Sequence, residues 1–165
     1  MALPTGIKAQ DIALSTTDGK PVVLSEILQR GPVVLAFFKI SCPVCQYTFP
    51  YLERLWQIHK SGAASFIGVS QDNQADTLAF MQRYGVTFPV VIDSAPRYAA
   101  SKEYQLTNVP SIFLVNRDGD IEVSSVGWLR KDMEDLNARL SMINPGQQQY
   151  PLFKPGEEIA QYKAG

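Results

Sequence analysis

Val33-Val34-Leu35-Ala36-Phe37-Phe38-Lys39-Ile40-Ser41-Cys42-Pro43-Val44-Cys45 is the stretch that decides the fold of this chain. Its first six residues are apolar with no polar alternation, the pattern of a strand covered on both faces. The run stops at Lys39-Ile40-Ser41. From Cys42 to about Lys60 the period becomes helical, with Val44, Thr48, Tyr51, Leu55 and Ile58 on one stripe. Pro50 is expected to kink that helix. The chain's 2 cysteines therefore both sit where a buried strand hands over to a helix.

Upstream, Ile12 to Leu24 reads as two short strands around Thr17-Asp18-Gly19-Lys20, whose Asp-Gly favours a hairpin. Ser25 and Glu26 then open a short helical turn. Downstream, Ser61-Gly62 stops the long helix and Phe66 to Ser70 forms the next buried strand. Asp72 or Asn73 caps a helix that runs to Tyr84 and ends at Gly85. Strands over 90–92 and 111–115 flank a short helix from Arg97 to Tyr104. The turn Asn116-Arg117-Asp118-Gly119 leads to a strand over 121–126, and a last helix runs from about Lys131 to Met142. Alternating strands and helices imply an α/β fold with a parallel core sheet between helices, made mixed by the closing hairpin. Residues 1–143 form one domain on this reading. Residues 144–165, richer in Pro, Gly and Gln, form an irregular tail wrapped on it.

The 165 residues suit a single domain. With 45% apolar and 19% charged residues the chain is not of a disordered class. Fifteen basic against 16 acidic residues leave a net charge of −1, so no clustered positive field invites nucleic acid. The apolar run at 33–38 is far shorter than the roughly 20 residues of a membrane span. The first ten residues carry no apolar h-region, which points to the cytoplasm, or to an extracytoplasmic site if a signal segment has been removed. A monomer is expected.

Cys42-Pro43-Val44-Cys45 at a helix start has a specific chemistry. The unpaired N–H groups of the first turn and the positive end of the helix dipole stabilise an anion at the first sulfur. Cysteines in that setting ionise more readily than ordinary thiols. The second cysteine, one turn in, is placed to attack a mixed disulfide formed at the first. Cys42 is thus the expected nucleophile and Cys45 the resolving thiol. A structural disulfide across so short a loop would stabilise little. Structural zinc requires four ligands, and the monomer has no further cysteine. The alternatives that stay open are a thiol-based copper or zinc carrier and a thiol peroxidase.

With these residues in view, the chain resembles the thioredoxin superfamily, and within it the TlpA/ResA-type thiol-disulfide oxidoreductases related to the AhpC/TSA redoxins. The matching features are Phe37-Phe38 leading to Cys42-Pro43-Val44-Cys45, Pro50 soon after, and Val109-Pro110-Ser111 before an apolar strand. Asp18-Gly19-Lys20-Pro21-Val22-Val23-Leu24-Ser25 matches as well. The resemblance implies a thioredoxin fold with an N-terminal β-hairpin. It also implies one inserted strand-and-helix unit, for which Asn73 to Ile92 is the candidate. It further implies a cis Val109–Pro110 bond against the cysteine pair, exposing the Val109 backbone to a substrate chain. Pro43, Val44, Val109 and Pro110 then support the site. The substrate would be a protein or small-molecule disulfide, the electron donor an upstream thiol reductant, and no cofactor is implied beyond the redox-active disulfide.

The chain also departs from that pattern. Ser41 replaces the tryptophan before the first cysteine, and Ala36 replaces a buried Asp that moves protons in thioredoxins. Lys39 is an unusual cation three residues before Cys42, where it would favour a thiolate, although a lysine ending a strand is more often simply solvated. The peroxidatic pattern Pro-x-x-x-Thr/Ser-x-x-Cys fits neither cysteine. His59, the one histidine, lies at the far end of the same helix, about 25 Å from Cys42 at roughly 1.5 Å per residue. It is therefore expected to pack or to favour the helix C-terminus, not to serve as a base. Trp56 and Trp128 read as core aromatics, with Trp128 also a candidate border of the active face. Glu53, Asp72 and Glu103 read as solvated or capping groups, one of which the resemblance would place near the thiols. No metal ligands are expected.

Overall fold

The computed structural model describes residues 1–144, 146 and 148–165. A hairpin of β1 (Ala13–Ser15) and β2 (Pro21–Val23) leads to the short helix α1 (Leu24–Leu28). Then come β3 (Val33–Phe38), α2 (Pro43–His59), β4 (Ser65–Ser70), α3 (Gln74–Tyr84), β5 (Val90–Ile92) and α4 (Ala99–Glu103). The chain closes with β6 (Ser111–Val115), β7 (Ile121–Val126), β8 (Trp128–Leu129), α5 (Arg130–Ile143) and β9 (Tyr162–Lys163).

Five strands form the central sheet in the order β5-β4-β3-β6-β7. β3 pairs in parallel with β4 and antiparallel with β6, so it lies at the centre of a mixed sheet. Every residue of β3 is buried, as its unbroken apolar run required. Successive side chains leave a strand on opposite faces. Val34, Ala36 and Phe38 accordingly enter one core with α2, α3 and α5. Val33, Leu35 and Phe37 enter a second core with α1, α4 and residues near the chain start. Each fully buried aromatic or leucine side chain contributes about 1.5–3 kcal/mol. The segment expected as the extra unit folds as α3 and β5, and β5 extends the parallel edge.

The local signals act as chemistry dictates. Asn73, not Asp72, caps α3: its side chain accepts the Asp76 N–H at 2.9 Å. Gly85 ends α3 in the left-handed region at φ 68°, which a side-chain-bearing residue rarely adopts. Pro50 lies exposed inside α2, where it cannot donate to the Gln46 carbonyl, and the helix continues to His59.

The tail is more than a loose wrap. Leu152 and Phe153 are buried in the core on the α2 side of the sheet. β9 pairs antiparallel with β8, matching Trp128 with Lys163. Arg54 on α2 donates two 2.8 Å hydrogen bonds to the Glu157 carboxylate. No helix among the described residues is long and apolar enough to cross a membrane.

Candidate active site

The site begins where β3 runs out. Lys39 to Cys42 form a tight turn, closed by the Cys42 N–H donating to the Lys39 carbonyl at 3.1 Å. Cys42 is the N-cap of α2, and Pro43 takes the first helical position, where its missing N–H costs nothing. The Cys45 N–H donates to Cys42 Sγ at 3.3 Å. The Cys42 sulfur thus stands in for the oxygen of an ordinary capping side chain, at the end of the helix that favours negative charge.

The second wall of the site comes from the loop before β6. Val109–Pro110 is a cis peptide bond. Cys42 Sγ donates to the Val109 carbonyl at 3.4 Å, joining residues 67 apart in the chain. Val109 is half-buried and Pro110 buried. Cys42, Cys45, Val109 and Pro110 therefore come together as expected from the motifs. Pro43 is exposed beside them, and Val44 is half-buried against the core.

The two sulfurs face different surroundings. Cys42 is partly exposed, whereas Cys45 is buried, and both are reduced. Burial pushes the Cys45 thiol well above the ordinary range, with the Cys42 sulfur and the Asp72 carboxylate adding to the rise. A backbone hydrogen bond from Lys39 opposes it. The inner sulfur keeps its proton while the outer one meets solvent.

Asp72 is the acidic residue near the thiols that the sequence left unassigned. Asn73 caps α3, so the Asp72 carboxylate turns back and accepts the Ile40 N–H at 2.7 Å. The Gln46 side chain donates to the Ile40 carbonyl at 2.9 Å. Ile40, two residues before Cys42, is held from both sides. Glu53 instead accepts the Thr87 N–H at 2.8 Å, away from the cysteines.

At three positions the structure selects among the readings that the sequence left open. Trp128 is fully buried, as a core aromatic. Its ring packs against Tyr47, Tyr51 and Phe153, and its Nε1–H donates to the Ala160 carbonyl at 2.6 Å. The tail covers it, which its position at a strand end could not reveal. Lys39 is exposed and lines a surface cavity. His59 closes α2 at the end opposite Cys42 and is buried, with Nε2 2.7 Å from Asn137 Oδ1. Burial pushes its pKa below the ordinary value, so it packs neutral and does not serve the helix dipole as a charge. Among the described residues, no three His, Cys, Asp or Glu side chains gather to hold a metal.

The model of the AhpC/TSA family matches residues 5–124. The chain belongs to the AhpC/TSA family. Among relatives of this AhpC/TSA protein is the thiol-disulfide oxidoreductase ResA of Bacillus subtilis, 28% identical over 147 residues. That match covers 88% of this chain and 79% of ResA. A Bacteroides thetaiotaomicron structure described as a protein disulfide isomerase superposes with TM-score 0.78 at 27% identity, covering 86% of this chain and 90% of that one. A Chlorobium tepidum structure described as the thiol:disulfide interchange protein DsbE gives 0.75 at 26% identity, covering 86% and 99%. The fold is thus thioredoxin-like, and the chain is similar to thiol-disulfide oxidoreductases, with less support for a peroxidase. Nothing in the fold or these relatives supports the cytoplasmic placement expected from the start of the chain.

Proposed function

We propose that this protein reduces or exchanges protein disulfides through Cys42 and Cys45. The observation that carries the reading is the outer sulfur on the N-cap of α2, accepting the Cys45 N–H and touching the Val109 carbonyl. The Cys42 thiolate attacks one sulfur of a substrate disulfide. The substrate S–S bond breaks, one substrate thiolate leaves and takes up a proton, and a mixed disulfide forms at Cys42. Cys45 Sγ then attacks Cys42 Sγ, and its proton goes to the departing substrate thiolate. The second substrate thiol leaves, and the Cys42–Cys45 disulfide forms. Two electrons pass from the protein's dithiol to the substrate, and an upstream dithiol returns them.

The burial of Cys45 fits the resolving role. A thiol that stays protonated does not compete with Cys42 for substrate, and it reacts only with the sulfur beside it. The Val109 backbone, half-buried beside Cys42, supplies a carbonyl for an extended substrate chain in the way strands are recruited by sheet edges.

The test is reduction of insulin by dithiothreitol, followed by turbidity. The protein accelerates it, and Cys42→Ser abolishes the acceleration. Tight metal uptake by the reduced protein with no acceleration would overturn this reading in favour of a carrier.

A further inference from the structure

Beyond the cysteines, β3 and β4 end side by side. Their last parallel pair is Phe38 with Ser70, and the Gln71 N–H continues the ladder to the Phe38 carbonyl at 3.0 Å. Lys39 and Gln71 therefore emerge together beyond the carboxyl ends of neighbouring parallel strands, the place where open α/β sheets receive ligands. A cavity of about 360 Å³ opens there, lined by Lys39, Gln71, Tyr98, Ser101, Lys102 and Leu106.

Within this cavity the Gln71 amide donates to the Ser101 hydroxyl at 3.1 Å, and the charged groups are two lysines. Among the described residues, neither the Lys39 nor the Lys102 ammonium has a carboxylate within ion-pair distance. The nearest buried acid, Asp93, is already taken up by the Ala100 and Ser101 N–H groups and the Ser101 hydroxyl. Tyr98 stands at φ 44°, a backbone region that a tyrosine rarely adopts and that concentrates at ligand clamps. Leu106 supplies an apolar wall. The turn from Lys39 to Cys42, closed by the Cys42 N–H on the Lys39 carbonyl, keeps their Cα atoms within about 7 Å, so one residue of the cavity wall lies a single turn from the reactive cysteine.

We propose that this cavity is an anion subsite, and that the preferred substrates are disulfides carrying a carboxylate near the attacked sulfur. The inference rests on the exchange reading above and names its substrate class. Lys39 and Lys102 hold the carboxylate, Tyr98 donates to it, and the attacked sulfur lies over Cys42. Two cations in a concave wall concentrate anionic substrates and orient them before any bond changes.

The test uses the pre-reduced protein and follows its oxidation by three small disulfides: 3,3′-dithiodipropionate (anionic), bis(2-hydroxyethyl) disulfide (neutral) and cystamine (cationic). A second arm uses one cystine peptide flanked by either Glu or Gln. The expected order is anionic, neutral, cationic. Lys102→Gln should lower the anionic-to-neutral rate ratio by about threefold to fivefold, the range of one exposed charge pair. Salt at about 0.5 M should shrink the same ratio. Preference in the first arm assigns the carboxylate to a small disulfide, and preference in the second alone assigns it to an acidic protein segment. Equal rates in both arms, or a ratio untouched by Lys102→Gln, would overturn the subsite while leaving the oxidoreductase reading intact. Oxidation by none of the disulfides would overturn that reading and the subsite with it.

Discussion

The Asp72 carboxylate holds the Ile40 N–H at 2.7 Å and thereby fixes the turn that delivers Cys42 to the start of α2. The carboxylate is also close enough to the inner sulfur to disfavour its ionisation. These two effects separate by mutation. Asp72→Asn keeps an acceptor for Ile40 but removes the charge, whereas Asp72→Ala removes both. Asp72→Ala is expected to lose about 1–2 kcal/mol of stability, the cost of a half-buried N–H left without its partner. In a Cys42→Ala background, Asp72→Asn should shift alkylation of Cys45 to lower pH, because a negative charge no longer opposes the thiolate. An alkylation profile unmoved by Asp72→Asn would dissociate the carboxylate from the thiol.

Trp128 holds the tail to the domain. Truncating it removes three ring contacts and the donor to the Ala160 carbonyl. Trp128→Ala should cost about 3–5 kcal/mol in urea unfolding. Gly127 beside it sits at φ 74°, and a Cβ there would lie 2.7 Å from the Lys163 carbonyl. Gly127→Ala should therefore loosen the same segment, seen as faster proteolysis of residues 157–165.

His59 makes stability depend on pH in a window that no other imidazole confuses, because the chain has 1 histidine. Burial lowers its pKa in the folded chain, and the hydrogen bond to Asn137 opposes that only in part. Above its unfolded value near 6.5 both states are neutral and its contribution is complete. As pH falls below that value the unfolded chain takes up the proton first, so stability drops. Urea midpoints should decline between pH 7.5 and 5.5, and His59→Gln should flatten the decline.

Glu157 governs a lower window. The Arg54 side chain, and then the Lys154 N–H, pull its pKa down from 4.5 to about 2. The contribution of the Arg54–Glu157 pair is therefore complete above pH 4.5 and is lost as pH falls through about 2. The difference in urea midpoint between the wild type and Glu157→Gln should close over that interval. A difference that stays at its full size down to pH 2 would contradict the pairing.

What the sequence showed, and what it hid, follows the range of the interactions involved. β3 was legible because burial on both faces writes an unbroken apolar run, and α3 because Asn73 and Gly85 bound it with local chemistry. The CxxC placement at a helix start was legible for the same reason. The division of roles between Asp72 and Asn73 was not, because both can cap a helix and the choice depends on Ile40, distant in sequence. The sequence around Trp128 suits both a core aromatic and a border of the active face, and only the returning tail decides between the two. Lys39 and Lys102 lie 63 positions apart, so no local pattern joins them into one cavity. The cis Ala95–Pro96 bond carried no motif at all.

The central claim is that Cys42 is attacked or attacks from the helix start and that Cys45 resolves the product. Trapping tests it most directly: Cys45→Ser and Cys42→Ser, each pre-reduced, are mixed with a cystine-containing peptide and weighed by mass spectrometry. The account predicts a persistent peptide adduct on Cys42 in Cys45→Ser, no adduct in Cys42→Ser, and in the wild type an intramolecular disulfide with free peptide thiols. An adduct on Cys45 in Cys42→Ser, with Cys42 in the other variant left unmodified, would contradict it.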